Sequence, residues 1–166
     1  MKKVFIIFIA LLFSASAFAQ EDFPRNELRV NVFPSLVFLF PEITYERILN
    51  ENFSIGVSAG LSTLPEPVFR DFSIIPFCRF YLDENLARGF FAEINAAFFA
   101  SGSGPVAGDP SHPFSRFGYA NLGVGFGLGW KTITRNDWVW DFMIGGGRAF
   151  GGGVYSRFGI TLGRRF

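Results

Sequence analysis

The chain has 166 residues, 49% of them hydrophobic and 17% charged, with a formal net charge of +1. That excludes a disordered chain, which needs low hydrophobicity and high net charge, and it offers no basic surface for nucleic acid. Phe (24) and Gly (19) dominate, the glycines have no three-residue period of the collagen kind, and the single Cys78 cannot close an intrachain disulfide.

Lys2 and Lys3 precede an apolar stretch from Val4 to Phe13, followed by Ser14-Ala15-Ser16 and Ala17-Phe18-Ala19. A basic start, a short apolar run and an A-x-A site mark a cleavable export signal over residues 1–19. The run is too short for a spanning helix, which needs about 20 apolar residues. Cleavage after Ala19 leaves residues 20–166 as one exported domain.

No later segment reaches 18 consecutive apolar residues, and the dominant period is two. The first two expected strands, 27–33 and 42–48, carry Arg29, Asn31 and Glu46. Between them, Leu36–Phe40 could lengthen either strand. The turn Leu49-Asn50-Glu51-Asn52 leads into strand 53–61, and the two-proline segment Ser62–Asp71 into strand 72–82. Asp83-Glu84-Asn85 then precedes strand 89–101, where Phe90, Ala92, Ile94, Ala96, Phe98 and Ala100 share one face and Glu93 and Asn95 the other. After Gly102–Arg116 comes strand 117–131, with Leu122, Val124, Phe126, Leu128 and Trp130 alternating with Gly123, Gly125, Gly127 and Gly129. Thr134-Arg135-Asn136-Asp137 joins it to strand 138–149. The last strand, 154–166, sets Val154, Phe158, Ile160 and Leu162 opposite Tyr155, Arg157, Gly159 and Thr161.

The even-numbered connections are short and rich in Asn and Asp, which tolerate turn dihedrals; the odd ones are longer and more varied. Short turns on one rim and long loops on the other describe an all-β, eight-stranded antiparallel up-and-down transmembrane barrel, with both termini on the short-turn, periplasmic rim. Ten strands would require strands inside the Pro/Gly-rich loops, which strand chemistry disfavours. A soluble lipocalin-like barrel or a Phe-rich sandwich also alternates, but a water-facing wall of Gly123, Gly125, Gly127 and Gly129 would keep neither in solution. As an inner wall, those glycines leave room for long side chains from other strands. Tyr45, Tyr81, Trp130, Trp138 and Trp140 lie near strand ends, as interfacial girdles do.

Phe158, Ile160, Leu162 and Phe166 keep one parity up to the last residue. This resembles the C-terminal signature of bacterial outer-membrane barrels, which the insertion machinery recognises. Arg164 departs from it, two residues before the end, where an apolar or aromatic side chain is usual. The chain after the leader also resembles a family of small outer-membrane barrels of uncharacterised function, akin to the OmpA transmembrane domain and OmpX. The carrying segments are Ile43-Thr44-Tyr45-Glu46-Arg47 with its Asn-containing turn, Arg79-Phe80-Tyr81-Leu82, and Gly123–Trp130. The resemblance implies an outer-membrane location, contact with outer-membrane lipid and assembly by the insertion machinery. It supplies no activity and no cofactor.

By parity the inward face holds Arg29, Glu46, Arg79, Glu93, Asp141 and Arg157, with Asn31 and Asn95, and with Lys131 and Arg165 nearer the periplasmic rim. An eight-stranded barrel is only wide enough for side chains to fill it, and buried charges must be paired. An ion-pair network plugging the lumen is therefore expected, and a narrow small-solute pore lined by the same charges is the alternative. Asp109-Pro110-Ser111-His112-Pro113 invites a lipid-modifying reading of the 102–116 loop, but a Pro-flanked loop does not hold a nucleophile and base at hydrogen-bond range. Glu46 and Glu93 as a glycosidase pair would find no room for a sugar in a filled lumen. One His and one Cys do not make a zinc site. The expected role is structural or loop-displaying, without catalysis.

Overall fold

A computed structural model of the chain describes residues 24–64, 71–83, 86–101 and 119–166. The expected export signal at 1–19 and the 102–116 loop with His112 lie outside the described residues. Eight antiparallel strands pair in chain order and close into a barrel: β1 (Asn26–Asn31), β2 (Glu42–Ile48), β3 (Phe53–Leu61), β4 (Phe72–Tyr81), β5 (Gly89–Ser101), β6 (Tyr119–Ile133), β7 (Trp138–Ala149) and β8 (Val154–Arg165). β1 closes the ring against β8, with Glu27 opposite Arg165 and Asn31 opposite Thr161. Closure leaves no second sheet among the described residues, so the sandwich alternative does not apply.

The alternation in sequence becomes two faces of the wall. On β6, Leu122, Val124, Phe126, Leu128 and Trp130 are exposed, while Gly123, Gly127, Gly129 and Lys131 are buried. Two of the buried glycines, Gly123 and Gly129, make room for inward aromatic rings. A Cβ on Gly129 would collide with the Phe91 ring, and one on Gly123 would stand 2.8 Å from the Tyr155 ring.

The wall is uneven in height. β1 and β2 have 6 and 7 residues, whereas β5 and β6 have 13 and 15. At about 3.4 Å per residue, β1 rises about 20 Å along its axis and β6 about 50 Å. Above Asn31 the β1 side of β8 therefore has no strand partner. A short helix, α1 (Val32–Val37), lies against β8 at that point.

This helix corrects the expectation that strand one runs to residue 33 and that Leu36–Phe40 extends a strand. Pro34 explains the change. It cannot donate to a β-ladder, but in the first turn of a helix its missing N–H has no partner to lose. Ser35 Oγ donates back to the Asn31 carbonyl, and the Phe38 N–H donates to the Pro34 carbonyl at 3.1 Å. The rings of Phe33 and Phe38 meet Phe158 of β8 edge-on at 5.6 and 6.2 Å. Leu39 then takes a left-handed backbone (φ 49°), and Phe40 is buried against Gly60. No described helix is long and apolar enough to cross a membrane.

Candidate functional site

The inner face of the barrel is charged, and each charge is placed there by strand parity. Arg29 comes from β1, Glu46 from β2, Arg79 from β4, Glu93 from β5, Asp141 from β7 and Arg157 from β8. All six are buried. Lys131 of β6 and Arg165 of β8 are buried with them.

At the centre, the Arg79 guanidinium donates to Glu93 at 2.9 Å, Asp141 at 2.8 Å and Glu46 at 3.1 Å. Its Cζ lies 4.2 Å from the Phe91 ring centroid and 4.7 Å from that of Phe77. Two aromatic rings thus fill the space that a hydrated cation would otherwise need. Arg157 crosses from β8, donating from Nε to Glu93 at 2.7 Å and from its terminal nitrogen to Ser58 at 3.1 Å. Asn95 also donates to Glu93, at 3.1 Å, and accepts from the Tyr155 hydroxyl at 2.6 Å.

Toward the short-turn rim, Lys131 Nζ donates to Glu27 at 2.9 Å and to Glu46 at 2.8 Å. Arg165 donates to Glu27 at 2.6 Å, and Arg29 bonds both Glu27 and Glu46. Glu46 also accepts from the Tyr81 hydroxyl at 2.7 Å and from Ser54 Oγ at 2.6 Å. Ions without partners in such a layer would each cost several kcal/mol, of order the effective burial penalty for a charge. Here the buried acids Glu27, Glu42, Glu46, Glu93 and Asp141 stand against the buried bases Arg29, Arg79, Lys131, Arg157 and Arg165.

Sequence reasoning missed three parts of this layer. Glu27 and Glu42 share the parity of Arg29 and Glu46, a signal that was available, but each sits at a strand end where boundaries are least certain. Glu42 accepts from Asn31 Nδ2 at 3.0 Å. Tyr81, expected in the outer girdle with Tyr45, Trp130, Trp138 and Trp140, points inward because it shares the parity of Arg79; the other four are exposed outward. The inward rings Phe77 and Phe91 were assigned to neither face, although Phe77 shares the parity of Arg79 and Phe91 that of Glu93.

The C-terminal residues Phe158, Ile160, Leu162 and Phe166 all face outward, Phe158 and Leu162 half-buried and the other two exposed. Phe158 is covered by the α1 rings. Arg164 is also exposed, in register between Leu28 and Trp138.

Chemically, the lumen presents the carboxylates of Glu27, Glu46, Glu93 and Asp141 already bound by cations, and that of Glu42 bound by the Asn31 amide. Among the described residues no group of three or more His, Cys, Asp or Glu side chains could hold a metal ion. Comparison with protein-family models, with curated proteins and with solved structures returns no match.

Proposed function

We propose that the chain is an integral outer-membrane barrel, exported by residues 1–19, whose plugged lumen carries no solute and which serves as a structural or loop-displaying element of the envelope. The observation that carries this reading is the inversion of burial. Ile94, Phe126 and Ile144 are 73%, 65% and 62% exposed, while Arg29, Glu46 and Lys131 are fully buried. Water would penalise that outer wall, whereas lipid favours it, and in lipid a sheet must close on itself. The exposed helix side chains Leu36 and Val37 extend the same apolar belt over the short strands. Exposed Trp130 and Trp138 beside the short-turn rim suit an interfacial girdle.

The uniform outward parity of Phe158, Ile160, Leu162 and Phe166 supports recognition by the insertion machinery. Orientation follows the small-barrel pattern, with the short turns periplasmic. Fractionation of cells expressing the full chain tests the reading. The protein should sediment with outer membranes and resist carbonate extraction. Recovery as a soluble periplasmic protein would overturn it.

A further inference from the structure

The outward surface between β2 and β6 holds a groove of about 660 Å³. Its floor is low because Pro76 and Ala96 present short side chains where the β4–β5 ladder is interrupted at Ile75 and Pro76. Along its lower edge, Arg47, Ile55, Cys78 and Ile94 follow one another in strand register.

That edge climbs. Arg47 is one residue from the short-turn end of β2 and Ile55 two residues into β3; Cys78 is three from the end of β4 and Ile94 five into β5. The groove tops out at Val124, well up β6. Four strand spacings of about 4.8 Å, inclined by a barrel tilt of about 40°, give a path of about 19 Å that rises about 12 Å. One leaflet of hydrocarbon is about 15 Å thick.

The foot of the groove is polar and cationic. Arg47 and Tyr45 both donate to Asn26 Oδ1, at 3.4 and 2.8 Å. Arg47 makes no ion pair with any described residue, unlike every buried Arg of the lumen. An apolar channel that spans one leaflet and ends at an unmatched guanidinium on the rim complements the shape and charge of an anionic lipid.

We propose that this groove is a binding site for one anionic phospholipid of the leaflet at the short-turn rim. Its phosphate sits on Arg47, and one acyl chain follows the groove over Pro76 and Ala96 toward Val124. The inference rests on the membrane-barrel reading and adds a ligand and a site to it.

Native mass spectrometry of the full chain, folded in detergent and offered equal phosphatidylglycerol and phosphatidylcholine with identical acyl chains, tests it. The protein should retain one lipid, with phosphatidylglycerol favoured about fivefold, as expected for one Arg at a membrane surface. Arg47→Gln should bring the two lipids to parity, Arg164→Gln elsewhere on the rim should leave the preference intact, and Ala96→Phe should weaken retention of both lipids. Heat-modifiable migration reports folding of each variant. Parity in the unmodified protein, or equal loss in Arg47→Gln and Arg164→Gln, overturns the site while the membrane reading stands. A chain that stays soluble and monomeric without detergent overturns both.

Discussion

Arg79 and Glu93 are register partners on β4 and β5, and the Arg79 Nε donates to Glu93 Oε2 at 2.9 Å. Glu93 also accepts from Arg157, and Arg79 also reaches Asp141 and Glu46. Removing one partner therefore leaves a buried charge short of compensation. Glu93→Leu alone should cost about 3–5 kcal/mol, the usual penalty for breaking a buried pair. Arg79→Met with Glu93→Leu should cost clearly less than the two single changes together, because contacting residues couple. Urea unfolding in lipid vesicles measures this, and strict additivity would show that the pair does not act as a unit.

Gly60 exists for Phe40. A Cβ there would collide with the Phe40 ring, which supplies its three nearest atoms. Gly60→Ala should therefore destabilise the barrel by about 1–3 kcal/mol, the range for overpacking. In a Phe40→Ala background the same change should cost nearly nothing. An equal cost in both backgrounds, by the same unfolding assay, would place the constraint elsewhere.

Where β1 stops, the α1 rings replace a β-ladder on β8. Side-chain packing there should open more readily than the continuous β5–β6 pairing, since local stability follows local contacts. Phe158→Ala removes the ring that both Phe33 and Phe38 meet. Hydrogen exchange in α1 and in Val154–Ile160 should then accelerate at least about tenfold while β5 and β6 stay protected, the pattern of a local opening. Unchanged exchange in α1 would mean that the helix is held by something other than these rings.

The lumen should be electrically silent. Its mid-section is filled by Arg79 stacked on Phe77 and Phe91, with Arg157 crossing to Ser58 beside it. Planar-bilayer recordings of the full chain should show no steady conductance. Stable single-channel steps would favour the small-solute pore and would mean that the charged layer parts in the membrane.

Much of the barrel is legible in the residues because β-structure writes itself with period two. The run Leu122–Lys131 names its own inner and outer faces, and the inward set Arg29, Glu46, Arg79, Glu93, Asp141 and Arg157 follows from parity alone. Aromatic residues were harder. Phe77, Tyr81 and Phe91 have the same composition signal as the outward Phe residues, and only their position relative to Arg79 and Glu93 assigns them inward. Residues 32–40 were illegible for a different reason. Phe38 and Leu39 suit a strand, and Pro34 ends a strand or begins a helix equally well.

By itself the amino-acid sequence determined the strand number, the two-faced wall and the charges that line its inner side, since all of these depend on local alternation and on turn chemistry. Tertiary structure decided which charges meet. Glu46 collects Arg29, Arg79 and Lys131 from three other strands, and no spacing in the chain encodes that meeting. It also decided that the wall drops at β1, that α1 covers the drop, and that Pro76 and Ala96 fall into one outer groove with Arg47 at its foot. Those features depend on strand register and closure, which bring residues far apart in the chain to the same height on the barrel.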